Sequence, residues 1–206
     1  MEVGNSFLAI VGPAGVGKST SFNAILDHFE SRIRVVPKVT TRPPRENEKD
    51  TKAGLSLTEF QAGVESGEII LAHQPFGPDG HWYGYSLNEL SGQSGQLNII
   101  EPNVEHQLPE FKKIFGASAF VLALRADREY LRHNLSERNS ESPEKIEERL
   151  SAACSINDFI DKYSNSGLID QVIELNWHNR PRMLEIVLGL TARVLNKMSV
   201  LQGRFC

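Results

Sequence analysis

The sequence GPAGVGKST at residues 12–20 decides the fold, because it matches the phosphate-binding pattern G-x-x-x-x-G-K-[ST]. The apolar run FLAIV at residues 7–11 precedes it and is typical of a buried strand, while residues 19–26 open a helix with an apolar face. A strand, a glycine-rich loop and a helix in this order place a phosphate group at the helix N-terminus, where free N–H groups and the helix dipole favour anions. The pattern therefore predicts a nucleotide-binding loop.

Each part of this loop has a chemical task. Glycines let backbone N–H groups surround the β-phosphate, Lys18 reaches the β- and γ-phosphates, and the Ser19 hydroxyl binds Mg²⁺. The residues expected to bind the nucleotide are Gly12, Pro13, Ala14, Gly15, Val16, Gly17, Lys18, Ser19 and Thr20.

Strand-like and helix-like stretches alternate along the rest of the chain. Further strands are predicted at 33–37, 68–72, 81–86, 97–100, 119–124 and 172–175, and further helices at 57–66, 104–114, 127–137, 143–163 and 182–197. Such alternation predicts an α/β fold, the three-layer fold of P-loop NTPases with a parallel central sheet. With 206 residues, of which 40% are apolar and 23% charged, we expect residues 1–206 to form a single globular domain.

Composition also excludes several classes of partner. The net charge of −4 argues against nucleic acid binding. No apolar run is long enough to cross a bilayer, and the first residues lack the layout of a signal peptide. Two cysteines cannot build a disulfide framework. We therefore expect a cytoplasmic monomer or homodimer with a small-molecule substrate and neither a nucleic acid nor a membrane partner.

A second motif, TTRPPR at residues 40–45, suits a phosphate group that carries two charges. Arg42 and Arg45 are held by prolines on an extended segment, and arginine binds phosphate through paired N–H donors in fixed geometry. A solvated basic loop is the alternative interpretation of these residues taken alone.

The phosphate-binding loop, TTRPPR and the run HWYG at residues 81–84, in this order, resemble the guanylate kinase family over about residues 6–176. The resemblance implies a P-loop core, at 6–37 and 96–200, with a small acceptor-binding lobe at about 38–95 and a helical lid at about 134–150. It also implies that Arg42, Arg45 and Tyr83 hold the phosphate of the acceptor.

The same resemblance assigns the remaining catalytic groups and makes ATP, with Mg²⁺, the expected phosphate donor. Glu101 falls where the family has an acidic residue near the metal and the acceptor. Arg138 matches a lid arginine, and Arg149 matches one that reaches the donor phosphates. With Lys18, these arginines supply the positive charge that phosphoryl transfer needs. A strand-end surface carboxylate for Glu101 and a solvated helix charge for Arg149 are the alternatives.

The base-reading positions depart from the guanylate kinase pattern. Lys38 and Tyr85 occupy positions where the family has Ser or Thr, Leu71 falls where it has a guanine-binding glutamate, and a tyrosine is missing near residues 52–54. Without the carboxylate a buried guanine N–H lacks a partner, which costs about 1–3 kcal/mol. These departures favour an acceptor other than GMP.

A closer resemblance is to the ribose 1,5-bisphosphate phosphokinases, which are similar in the basic residue at Lys38, in the stretch 54–60, in His73 and in the run 80–84. An extra cation at Lys38 suits an acceptor with two phosphates. The first hypothesis is therefore an ATP-dependent kinase that converts ribose 1,5-bisphosphate to phosphoribosyl diphosphate.

Two alternatives stay open. One is a GMP kinase with a divergent base pocket that reads guanine through Asn98, Glu101 or Asn103. The other is a catalytically silent guanylate-kinase-like interaction module, although such modules usually have a degraded phosphate-binding loop.

Overall fold

The computed structural model describes residues 6–44, 51–75, 80–91, 95–137 and 142–202. Their strands are β1 Ser6–Val11, β2 Ile33–Val35, β3 Lys38–Thr40, β4 Thr51–Lys52, β5 Ile69–His73, β6 Tyr83–Ser86, β7 Leu97–Ile100, β8 Ala119–Ala126 and β9 Gln171–Leu175. Their helices are α1 Lys18–Phe29, α2 Leu57–Glu65, α3 Leu87–Ser91, α4 Leu108–Phe115, α5 Arg128–Glu137, α6 Pro143–Tyr163 and α7 Met183–Gln202.

The central sheet has the strand order β2-β7-β1-β8-β9, and its neighbouring strands all pair in parallel. β1 is buried on both sides: Leu8 and Ile10 pack into one apolar cluster, and Phe7, Ala9 and Val11 into another. Strands buried on both faces are expected where helices cover both sides of a parallel sheet. The predicted three-layer α/β fold is confirmed.

The phosphate-binding loop packs tightly between β1 and α1. Gly12 has a φ of 147°, and a Cβ at this position would lie 2.2 Å from the carbonyl oxygen of Leu124 on β8. Gly17 is the N-cap of α1 and has a left-handed φ of 106°, which glycine adopts without strain. Because glycine has no side chain, this N-cap makes no side-chain hydrogen bond to the helix. Glycine at these positions brings the loop close to the sheet and leaves the first-turn N–H groups of α1 without a side-chain acceptor.

A second sheet, with the order β4-β3-β6-β5, forms beside the first. We call residues 38–91 the small lobe. Its own apolar cluster is built around Val39, Phe60 and Ile69, and α2 begins with a capping box between Ser56 and Glu59. The sequence did not predict β3, β4 or α3, since these elements are only two to five residues long. The division into core, lobe and lid remains a prediction.

The lid predicted at about 134–150 contains the end of α5 and the start of α6. Ser142 caps α6 by accepting from the Lys145 N–H at 3.4 Å, and Pro143 occupies the first turn, as the sequence predicted. Glu147 on α6 pairs with two arginines of α5, Arg128 and Arg132. The connection between these helices, residues 138–141, lies outside the described residues.

Helix α4 begins four residues later than predicted. The Asn103 side chain accepts from the backbone N–H groups of Glu105 and His106, both at 3.0 Å, which folds residues 104–107 into a turn instead. This turn directly follows Glu101, so it shapes the end of β7 where the candidate site lies.

Candidate active site

A cavity of about 250 Å³ opens between the phosphate-binding loop and the small lobe. It lies at the carboxyl ends of β1 and β7, the edge at which ligands bind in open parallel sheets. Its lining residues come from both sheets and from α6: Gly12, Ala14, Lys18, Lys38, His73, Pro75, Tyr83, Glu101, Pro102, Asn103, Val104, Gln107, Arg149 and Ile156. Five of the predicted catalytic and acceptor residues thus share one cavity.

Two lysines meet at Glu101. Lys38 Nζ donates to Glu101 Oε2 at 2.9 Å, and Lys18 Nζ lies 3.5 Å from Glu101 Oε1. Burial raises the pKa of Glu101, but the charges of Lys38 and Lys18 outweigh it and bring that pKa to about 2. Glu101 is therefore an ionised carboxylate at neutral pH, and it joins the phosphate-binding loop to the small lobe.

The position of Lys18 follows from its own loop. Its ammonium also donates to the carbonyl oxygens of Gly12 and Pro13, each at 2.8 Å. These contacts hold the charge at the mouth of the loop, next to the N-terminus of α1.

The motif that carries Arg42 is fixed by a web of hydrogen bonds. Buried Thr40 donates from its hydroxyl to the Trp82 carbonyl at 2.6 Å, and the Trp82 N–H donates to the Thr41 hydroxyl at 3.0 Å. The Gly54 N–H closes the segment by donating to the Arg42 carbonyl at 2.9 Å. Arg42 itself is only 8% exposed, so the solvated-loop interpretation is wrong for this arginine, while Arg45 lies outside the described residues.

Tyr83 and His73 face each other across β5 and β6, with ring centroids 5.9 Å apart. Burial is the main reason that the pKa of His73 falls to about 4, and the nearby His106 and Lys38 lower it further. His73 is therefore neutral at physiological pH and adds no charge beside Tyr83.

Arg149 lines the cavity from α6 together with Lys18 and Glu101. This placement contradicts the alternative in which Arg149 is only a solvated helix charge. Glu101 likewise is not a simple surface carboxylate, because two lysines bind it. Arg138 lies outside the described residues, so its place in the lid remains a prediction.

The positions discussed for base reading differ in what they offer. Leu71 is 2% exposed, packs into the core and does not line the cavity. Asn98 is fully buried and bonds to Arg34 and to the Ser6 carbonyl, which excludes it as a base-reading group. Asn103 does line the cavity.

Gln107 also lines the cavity, although the sequence gave no reason to select it. Its amide reaches Leu71, 36 residues earlier in the chain. No local pattern signals a contact at that separation.

A second cavity, of about 590 Å³, opens on the other side of the phosphate-binding loop. It is lined by Gly15, Gly17, Thr20, Tyr130, Asn134, Glu137, Pro181, Met183 and Leu184. The loop therefore stands between two cavities, only one of which contains the residues predicted for the acceptor. This arrangement suits two ligands that share one set of phosphate contacts.

The first turn of α1 fits a nucleotide with a bound Mg²⁺. Ser19 is exposed at this turn, directly after Lys18 in the chain, and a Cβ on Gly12 of the same loop would lie 2.2 Å from the Leu124 carbonyl oxygen. The described residues contain no cluster of three His, Cys, Asp or Glu side chains that could bind a metal ion alone. A cation here would depend on hydroxyl and phosphate oxygens, which Mg²⁺ prefers.

Comparison with known proteins gives consistent matches. The family model described as guanylate kinase matches residues 5–169. The chain belongs to the guanylate kinase family. Guanylate kinase from a Polaromonas species is 32% identical over 160 residues, covering 75% of each chain. Guanylate kinase from Campylobacter jejuni is 29% identical over 160 residues, covering 74% of each.

A solved structure supports the fold independently. The crystal structure of guanylate kinase from Anaplasma phagocytophilum superposes with a TM-score of 0.60 at 20% identity, covering 97% of this chain and 87% of that one. Family membership confirms the expected guanylate-kinase-like fold and kinase class. The expected closeness to ribose 1,5-bisphosphate phosphokinases is not supported by these matches, which favour the GMP kinase alternative. Within the described residues, every helix is too short or too polar to cross a membrane.

Proposed function

We propose that this member of the guanylate kinase family transfers the γ-phosphoryl group of ATP to the phosphate of GMP. The observation that carries the proposal is the meeting of Lys18, Glu101 and Arg149 in one cavity with Lys38 and Tyr83 of the small lobe. Phosphoryl transfer requires two phosphates to be aligned and their charge neutralised, and this cavity offers groups for both tasks.

In the proposed reaction an oxygen of the GMP phosphate attacks the γ-phosphorus. The bond from that phosphorus to the β–γ bridging oxygen breaks, and GDP and ADP form. Lys18 and Arg149 stabilise the negative charge that spreads over the transferred group. Arg42 and Tyr83 hold the acceptor phosphate in line for the attack.

Two further groups complete the proposed site. Ser19 would hold Mg²⁺ at the donor phosphates, where the ion would neutralise part of their charge. The second cavity, beside Gly15, Gly17 and Thr20, is the candidate place for the base and ribose of ATP. Arg45 and Arg138 keep the roles that the sequence assigned to them as part of this proposal.

The acceptor base is the finer part of the proposal. Of the three candidates for reading guanine, Glu101 and Asn103 line the cavity, whereas Asn98 is fully buried and does not. The Glu101 carboxylate can accept hydrogen bonds from the N–H groups of guanine, and the Asn103 side-chain NH₂ can donate to guanine O6 or N7. We therefore infer that guanine is read from the end of β7.

Ribose 1,5-bisphosphate is a second candidate acceptor, favoured by one observation. Lys38 brings an ammonium group into the cavity, and Leu71 contributes no polar side chain to it. An added cation favours a second phosphate over a base.

An acceptor panel tests the proposal. ADP formation from ATP is measured with GMP, AMP and ribose 1,5-bisphosphate as separate acceptors. Turnover with GMP at a kcat/KM well above that for the other two is the expected result. Turnover only with the sugar bisphosphate would replace GMP by the second candidate, and no turnover with any acceptor would favour a silent interaction module.

A further inference from the structure

A buried glutamine connects the small lobe to the nucleotide-binding core. Gln107 is 2% exposed and stands at the N-cap of α4. Its side-chain Nε2 donates to the Leu71 carbonyl on β5, and its Oε1 accepts from the Asn103 N–H at 2.7 Å. Both polar atoms therefore bind main-chain groups, one in the small lobe and one in the turn after β7.

The partner in the small lobe lies at an irregularity of the sheet. Ile70 pairs with Tyr85 and His73 pairs with Tyr83, so three steps along β5 match two steps along β6. Leu71 lies in this bulge with a φ of 56°, a left-handed conformation that is unfavourable for leucine. A bulge changes the direction of its strand and the residues that follow it.

His73, at the end of this bulge, and Tyr83, its partner on β6, line the cavity. Tyr83, opposite His73, is the tyrosine assigned to the acceptor phosphate, and both side chains line the cavity together with Gln107. A bond that fixes the Leu71 carbonyl thus sets the distance between Tyr83 and the phosphate-binding loop.

We propose that Gln107 is a positioning residue for acceptor binding, which acts by donating a hydrogen bond to the Leu71 carbonyl and so holds the β5 bulge against the core. The inference rests on the proposed kinase function but not on GMP as the acceptor. Other contacts join the same parts, among them a bond from the Tyr85 hydroxyl to the Glu101 carbonyl at 2.8 Å and the pair of Lys38 with Glu101. The Gln107 contact differs from these because it reaches the bulge itself, at the Leu71 carbonyl.

Gln107→Glu tests directly whether the hydrogen bond donated to the Leu71 carbonyl matters. An ionised carboxylate has nearly the shape of the amide but cannot donate, whereas a protonated carboxyl group can. Burial raises the pKa of such a carboxyl, so protonation is within reach of mildly acidic buffers. We expect the acceptor KM of the variant to be about ten times that of the wild type at about pH 8.5. At about pH 6 the two KM values should become nearly equal. The KM for ATP should stay unchanged.

Gln96→Glu is the matched control. Gln96 donates from its amide to the Ser31 carbonyl at 2.7 Å, which is the same type of bond away from the cavity. Its acceptor KM should equal that of the wild type at both pH values. Gln107→Met, which is similar in size but can neither donate to the Leu71 carbonyl nor replace the amide oxygen that accepts from Asn103, should show the raised acceptor KM at both pH values. It serves if Gln107→Glu does not fold.

The outcomes separate the two proposals. All variants are assayed with the acceptor that the wild type turns over best. Whether GMP is the acceptor is therefore decided by the wild-type panel, and the role of Gln107 by the comparison of the variants. An equal rise in both KM values, a fall in kcat with unchanged KM, or a Gln107→Met variant with the wild-type acceptor KM would overturn the role of Gln107.

Discussion

The two sides of the cavity differ in how they are built. The donor side is one continuous strand, loop and helix, residues 6–29, in which neighbours in sequence are neighbours in space. The acceptor side is assembled from β3, β5, β6 and the end of β7, which are up to 63 residues apart where Lys38 meets Glu101. A contiguous motif fixes its own geometry, whereas the acceptor side depends on contacts between distant segments.

The largest expected effect is on the donor side. Lys18→Met should lower kcat by about 10²–10³-fold, because it removes the positive charge that stabilises the negative transferred phosphoryl group. Steady-state kinetics with saturating acceptor measure this loss. Lys197→Met, an exposed lysine on α7, is the control and should retain full activity. A Lys18→Met variant with wild-type kcat would remove the distinction between the two sides.

The packing of the donor loop gives the next effect. Gly12→Ala should destabilise the fold by about 2–4 kcal/mol, since the new Cβ would lie 2.2 Å from the Leu124 carbonyl oxygen. Gly67→Ala is the matched control, because Gly67 also has a positive φ, 76°, but has open space around it. Its cost should be only about 1–2 kcal/mol. Urea unfolding measures both, and equal costs would show that the close approach is not what matters.

A smaller effect is expected on the acceptor side. Arg42→Lys should raise the acceptor KM by about 10–100-fold, because lysine cannot reproduce the paired donors of arginine. The KM for ATP should change less than twofold. Kinetics with each substrate varied in turn measure the split. If both KM values rose together, Arg42 would stabilise the fold rather than bind the acceptor phosphate.

The smallest expected effect concerns the contact between the two sides. Since the pKa of Glu101 is lowered to about 2, its contribution to stability is complete above the ordinary glutamate pKa and is lost as pH falls from about 4.5 to about 2. Glu101→Gln should therefore show a weaker loss of stability over that window, by about 1–2 kcal/mol. Unfolding of the wild type and of Glu101→Gln at several acidic pH values provides the comparison. Parallel curves of stability against pH would contradict a stabilising contact between Glu101 and the two lysines.

The same contrast explains what the sequence could predict. The loop at 12–20 and its flanking strand and helix follow from a local pattern, and Arg149 and Glu101, which the resemblance selected, line the same cavity as Lys18. Strands β3 and β4 carry no periodicity, because three and two residues are too short for one. Gln107 had no signal either, since its role depends on a bulge at Leu71 that only the pairing of β5 with β6 creates.

The base-reading positions show a second limit. The departure at Leu71 favoured a sugar bisphosphate, while the relatives of the chain are guanylate kinases. A missing carboxylate indicates what one position cannot do, but not which other side chain supplies the contact. The cavity separates the sequence candidates, because Glu101 and Asn103 line it and Asn98 does not.

The most direct test of the account follows the transferred phosphoryl group itself. The protein is incubated with Mg²⁺, ATP labelled at its γ-phosphate and an equimolar mixture of GMP and ribose 1,5-bisphosphate, and the products are separated by chromatography. We predict that the label appears in GDP. Label in phosphoribosyl diphosphate, or only in inorganic phosphate, would contradict transfer to GMP.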